Sequence, residues 1–257
     1  MPELPEVEAL RRGLQAVIVG QKVISVEIKR PKLVSGKGNV RTASPVKTKA
    51  FITGLRGEKI EKIDRRAKNL IFYFSHGRIM LVHLKMTGQL VYKQHAIRST
   101  HQGKTVIGGH PIELSEKELP NKHTHLIFTL SKGTLYYNDT RMFGYLLYYP
   151  SLAKFEAENH FAALGHEPHE KEFTLVYFTE SLKNKKGILK KILMDQKIVT
   201  GLGNIYADEV CFEAGVRPAR KVDTLKKEEI TKLYKAIRRF IPEAIRQGGS
   251  SVANYLL

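Results

Sequence analysis

Residues 69–84 read NLIFYFSHGRIMLVHL. Two apolar runs rich in Ile, Leu, Phe and Val flank His76-Gly77, and glycine accepts the positive φ that a tight turn demands. The stretch predicts a β-hairpin. A second hairpin follows in THLIFTLSKGTLYYND (124–139), turning at Lys132-Gly133. KVISVEI (22–28), EKIEKID (58–64), GQLVYK (88–93) and GYLLYYP (144–150) add single strands, for about eight before residue 150. Ahead of them Val7, Leu10, Leu14, Val17 and Ile18 share one helical face, so residues 4–19 predict a helix that Gly20 stops. Many strands with one amphipathic helix predict a β-sandwich capped by that helix. The stretches 35–49 and 93–122 are polar, basic and glycine-containing, and read as loops.

Past Pro150 the periodicity changes from two to near 3.6. KKGILKKILMDQ (185–196), GNIYADEVCFEAG (203–215) and KKEEITKLYKAIRRFIPEAIRQ (226–247) predict helices. Ile230, Leu233, Ile237, Ile241 and Ile245 form one face of the last, which Pro242 should kink by deleting a backbone donor. The fold class is therefore α+β: a β-sandwich domain over 1–150 and a helical domain over 151–257.

The 257 residues carry 43 Lys and Arg against 25 Asp and Glu, a formal charge of +18. Such a charge opposes compaction and suits an anionic partner, nucleic acid first and a membrane surface second. No apolar run approaches the ~18 residues a membrane span needs. No basic stretch followed by an apolar one marks a signal peptide. Cys211 is the single cysteine, which rules out an intramolecular disulfide and a thiolate zinc cluster. A reducing cytoplasmic setting fits.

Three clusters can carry chemistry. MPELPEVE places Pro2 and Glu3 at the extreme N-terminus. With Met1 removed, Pro2 presents a secondary amine, and an α-amine with a pKa near ~8 is a far better nucleophile at neutral pH than lysine near ~10. RRAKNL (65–70) puts Lys68 at a strand entrance; alone it reads equally as a solvated basic edge. MDQKIVTGLGNIYADE (194–209) joins two helices through a glycine-rich turn with Asn204 at a helix start, where free N–H groups suit a phosphate. Lys183, Lys185, Lys186, Lys190 and Lys191 precede that turn. His123 and His125 could also form a metal pair.

Taken in order, PELPEVE, RRAK, HLKMTG, NDTRMFG and LMDQKIVTGLGNIYADE resemble the bacterial formamidopyrimidine-DNA glycosylases, from residue 2 to about residue 252. The resemblance implies a helix–two-turn–helix motif in the second domain and a monomeric bacterial enzyme at the nucleoid. Its partner would be damaged double-stranded DNA, with no membrane. Its activity would be removal of oxidised purines such as 8-oxoguanine and formamidopyrimidines, followed by strand cleavage. Pro2 would attack C1′ and form a Schiff base. Glu3 would be the acid/base, helped by burial. Lys68 would donate a proton in β-elimination and touch phosphate. Met86, Arg141 and Phe143 would fill the void left by the extruded base, with Arg141 bonding the orphaned cytosine. His123, Arg141, Lys185 and Asn204 would contact DNA.

Two departures stand out. HLKMTG has Lys85 where the family usually has glycine. The chain also ends at GGSSVANYLL, ahead of the family's finger, whose four cysteines hold zinc and whose arginine serves δ-elimination. The resemblance therefore assigns these residues Schiff-base formation and β-elimination, and neither a cofactor nor a residue for the δ-step. A pyrimidine-lesion glycosylase and a non-catalytic or degenerate damaged-DNA-binding protein are rival readings. A basic RNA-binding protein would expose aromatic stacking platforms, and no stretch supplies a clear one.

Overall fold

The computed structural model describes residues 1–38, 41–95, 105–109 and 119–249. It divides into two compact units. Met1–Pro2 and Glu6–Asn159 belong to the first; Glu3–Pro5 and the described residues from His160 on belong to the second.

The first unit opens with α1 (Leu4–Ile18), whose first two residues cluster with the second unit, and β1 (Val23–Ile28). It continues through α2 (Pro45–Leu55), β2 (Ile60–Arg66), β3 (Asn69–Phe74), β4 (Ile79–His83) and β5 (Gly88–Gln94). It ends with β6 (Thr105–Gly109), β7 (Thr124–Leu130), β8 (Gly133–Asp139), β9 (Tyr145–Tyr149) and α3 (Leu152–Ala157). The strands form two antiparallel sheets, β1-β7-β8-β5-β6 and β2-β3-β4-β9. Both predicted hairpins form. In the first, Phe72 lies opposite Met80 and His76 takes a left-handed φ of 57° at the turn. Phe72, Met80 and Val82 of one sheet share a single core with Leu90, Phe128 and Tyr137 of the other. Val7, Leu10, Leu14 and Ile18 of α1 enter the same core at no more than 1% exposure. Burial of that size is worth about 1.5–3 kcal/mol for each such side chain.

Nine strands are present among the described residues, against the eight expected. The additional one, β6, lies inside the stretch 93–122 that reads as a loop; 96–104 and 110–118 of that stretch lie outside the described residues. Its glycines are what hide it. A Cβ on Gly108 would fall 2.6 Å from Leu10 Cδ1, so glycine there lets α1 lie directly on the strand. The stretch 35–49 is likewise not all loop, because α2 starts at Pro45, with the Ser44 side chain accepting from Lys47 N–H.

The second unit contains α4 (Leu175–Leu182), α5 (Leu189–Leu193), α6 (Asn204–Ala214) and α7 (Lys227–Arg246). Phe173, Phe178, Leu193, Val210, Leu233 and Ile237 build its core, and Leu4 is part of it at 0% exposure. The helix expected over 185–196 is shorter, because Gly187 at φ 134° holds the chain out of helix until Leu189. The last helix runs unbroken through Pro242. No helix of the described residues is long and apolar enough to cross a membrane.

Candidate active site

Glu3 is buried at 1% exposure. Its Oε2 accepts the Gly203 N–H at 2.6 Å and its Oε1 accepts the Ile205 N–H at 2.9 Å. Gly203 is the residue that caps the start of α6, so the carboxylate occupies the positive end of that helix. Leu4 N–H reaches Gly201 O at 3.1 Å, and Gly201 sits at φ 98°, where glycine is favoured. The glycine-rich turn is thus shaped to receive the N-terminal segment. This revises the expectation of a helix start with free donors: two of its N–H groups are already taken. Asn204, the first residue of α6, is exposed. Pro2, covalently next to Glu3, is buried.

Lys68 lies at the turn between β2 and β3, where Ala67 takes φ 54°, and it is 7% exposed. Arg65 fixes that turn from below, donating Nη1 to Ala67 O at 2.9 Å and Nε to Glu8 Oε2 at 3.1 Å. Burial pushes the Glu8 carboxyl upward, but hydrogen bonds from Arg11 and Arg12 and the charges of Arg65 and Arg11 outweigh it and hold the pKa at about 2. A carboxylate on α1 therefore anchors the RRAK segment.

Met86, Arg141 and Phe143 come together although 55 residues separate the first two. Arg141 Nη1 lies 3.2 Å from Met86 Sδ, and the guanidinium stands 4.6 Å over the Phe143 ring. Met86 is 42% exposed and Arg141 is exposed too, so an apolar and a cationic group project side by side. Buried Asp139 sets the turn that carries them. Its Oδ1 accepts from Arg141 N–H at 3.2 Å and from the Thr87 hydroxyl, and its Oδ2 accepts from Gly144 N–H at 2.8 Å.

His83 explains how a lysine stands at position 85. Lys85 adopts φ 53°, a left-handed conformation costly for a side-chain-bearing residue. Its N–H donates to His83 Nδ1 at 2.9 Å, and its ammonium sits 5.9 Å over the Tyr145 ring. Burial, and then the charges of Lys85, Lys68 and Lys37, pull the His83 pKa down to about 3, so the ring stays neutral and able to accept. Sequence reasoning missed His83, Asp139 and Thr87, though each lies in or beside a quoted motif.

His123 is half-buried beside β7, its N–H held by Asn121 Oδ1 at 2.9 Å. His125 directs Nε2 to Asp139 O at 2.7 Å, which employs one ring nitrogen of the suggested metal pair in the fold. Lys185 precedes α5 and is half-buried. Of the lysines around it, Lys183 pairs with Glu180 at 3.3 Å and Lys190 with Asp208 at 2.7 Å, so the basic approach is partly neutralised. Cys211 is a core thiol that burial pushes up to about 11, and a lone buried cysteine does not fit the family's four-cysteine zinc site. Elsewhere His166 Nδ1 lies 3.4 Å from Glu170 Oε2, with Glu172 near and ligand atoms within 4.8 Å of one another, a partly solvated cluster.

The order of these motifs is matched in known proteins. The formamidopyrimidine-DNA glycosylase N-terminal domain family matches residues 1–146, and the formamidopyrimidine-DNA glycosylase H2TH domain family matches residues 164–255. The chain belongs to the formamidopyrimidine-DNA glycosylase family. It is 38% identical over 258 residues to the formamidopyrimidine-DNA glycosylase of Bacillus subtilis, covering 100% of this chain and 82% of the relative. It is 36% identical over 263 residues to that of Desulfitobacterium hafniense, covering 99% and 82%. Among solved structures, the Lactococcus lactis glycosylase in complex with DNA containing an abasic site aligns with a TM-score of 0.79 at 31% identity, over 97% of this chain and 80% of that one. A mutant of the same protein in complex with DNA containing Fapy-dG aligns at 0.80 and 32%, over 100% and 83%. The H2TH domain match spans α5, α6 and the turn holding Glu3.

Proposed function

We propose that this chain is a bifunctional DNA glycosylase and abasic-site lyase acting on oxidised and ring-opened purines in duplex DNA. The observation that carries the reading is the buried Glu3 carboxylate beside Pro2, fixed by the Gly203 and Ile205 N–H groups. A group that moves protons at a reacting centre must be held in place, and two backbone bonds do that. With Met1 removed, the Pro2 nitrogen attacks C1′ of the damaged nucleotide. The bond to the base breaks with its electron pair, and Glu3 handles the protons on the sugar oxygen and the leaving base. Glu3 takes the proton the amine loses and passes it to O4′; the C1′–O4′ bond breaks, and because the amine is secondary the product is a cationic iminium, an electron sink for the next step. The Glu3 carboxylate then takes the C2′ proton and the resulting enamine expels the 3′-phosphate, with Lys68 as proton donor to that leaving group and phosphate contact. These steps use an amine, a carboxylate and an ammonium, and no cofactor.

Extruding a base costs a few kcal/mol. The Met86–Arg141–Phe143 group offsets it, two bulky side chains replacing lost stacking and Arg141 bonding the orphaned base. His123, Lys185 and Asn204 hold phosphates. The protein works as a monomer in the bacterial cytoplasm, where its DNA lies. Borohydride trapping on a duplex with one 8-oxoguanine or one abasic site tests the chemistry, with intact mass of the trapped protein. A covalent adduct on a chain starting at Pro2 is expected. Active protein that retains Met1, or a free proline amine that never traps, overturns the reading.

A further inference from the structure

Arg41 lies in the segment between β1 and α2, far in sequence from every motif above. Its Nη2 donates to Met142 O at 2.7 Å and its Nη1 to Gly144 O at 2.7 Å, with Gly36 O at 3.4 Å. Those two carbonyls bracket Phe143. The N–H groups of the same turn are held from the other side, Arg141 N by Thr87 Oγ1 at 3.1 Å and by Asp139, and Gly144 N by Asp139. The turn is tight: Met142 takes the left-handed φ of 55°, costly for a side-chain-bearing residue, and the Tyr137 hydroxyl leaves room at position 144 for glycine alone. A backbone so placed does not keep its shape unaided. Among the described residues the Arg41 Nε, also buried, has no hydrogen-bond partner. The two ends of its planar fork reach the two carbonyls on either side of Phe143.

We propose that Arg41 is a positioning residue for base extrusion, locking the Arg141–Phe143 turn so that Arg141 and Phe143 enter the helix stack beside Met86. This rests on the glycosylase reading. The device matters in proportion to the work of extrusion, which is least for an unpaired base.

The test compares wild type, Arg41→Lys and Arg41→Met on three duplexes: 8-oxoguanine opposite cytosine, 8-oxoguanine opposite an abasic gap, and a preformed abasic site. For Arg41→Met, single-turnover excision from the paired duplex should fall at least about tenfold, while the deficit opposite the gap shrinks below about threefold. Borohydride trapping on the abasic site should remain near wild type. Arg41→Lys, which keeps a charge but not the fork, should fall between. If Arg41→Met is unfolded at the assay temperature, Arg41→Lys carries the same comparison. Equal losses on all three duplexes mean a merely structural role and overturn the proposal, as does undiminished paired excision. Failure of wild type to trap at all overturns the glycosylase reading instead.

Discussion

The Glu3 carboxylate accepts the Gly203 N–H at 2.6 Å, across 200 residues of chain. A Cβ at position 203 would lie 2.4 Å from Glu3 Cδ and 2.5 Å from Oε1. The backbone at Gly203 is extended, at φ −138°, outside the left-handed region that only glycine favours. The clash with Glu3 is therefore the main effect of the substitution. Gly203→Ala should displace the carboxylate and reduce base excision by about 10²–10⁴-fold, the usual worth of a positioned acid/base. Single-turnover excision and a thermal melt on the same preparation check it. A folded variant with wild-type excision would remove Glu3 from the mechanism.

Acid should destabilise the fold in two stages. The folded His83 pKa is depressed to about 3 from 6.5, so only the unfolded chain takes up this proton between those values. Stability from His83 is complete above pH 6.5 and drains as pH falls toward 3. Glu8, held at about 2 against 4.5, contributes stability above pH 4.5 that drains as pH falls toward 2. The loss should be steepest between pH 4.5 and 3, where both act. Melting temperature against pH checks this: Glu8→Gln should lower stability at pH 7 and flatten the curve below pH 4.5, while His83→Asn should flatten it between 6.5 and 4.5. Parallel curves for all three proteins would contradict both assignments.

The elements legible in sequence are those whose pattern is local. The hairpin at 69–84 and helix α1 carry their apolar periodicity within a few residues, and both form where expected. β6 was hidden because Gly108 and Gly109 read as turn residues, whereas Gly108 is there for contact with Leu10. α2 was hidden because PVKTKAFITGL buries only Phe51 and Leu55, too few for a helical stripe. The motifs single out residues but not their partners. Nothing near Gly203 announces Glu3, and nothing around Arg41 announces the carbonyls of Met142 and Gly144. Such pairings are made by tertiary structure, and one sequence holds no trace of them.

Met86 separates insertion from stability. At 42% exposure its truncation leaves little cavity, so Met86→Ala should change stability by no more than about 0.5 kcal/mol. Under the proposed function it nevertheless removes one of the groups assigned to offset unstacking. Excision from a paired duplex should slow about tenfold, the equivalent of about 1.4 kcal/mol of barrier. Fluorescence of 2-aminopurine beside the lesion should report less unstacking at saturating protein. An unchanged rate would mean that Arg141 and Phe143 fill the void alone.

The lysines before α6 differ in what they have left to offer DNA. Lys190 spends its charge on Asp208 at 2.7 Å, joining α5 to α6, whereas Lys185 stands in the turn that precedes α5. Each phosphate neutralised adds about −0.9 to the slope of log affinity against log salt on duplex DNA. Lys185→Ala should therefore make the slope shallower by about one and weaken all duplexes alike, damaged or not. Lys190→Ala should leave the slope nearly unchanged, because Asp208 already neutralises that ammonium and it takes up no phosphate. Its cost should appear instead as a lower melting temperature. Titrations of both variants across salt concentrations check the contrast. Equal changes in slope would show that Lys190 leaves Asp208 for a phosphate when DNA binds.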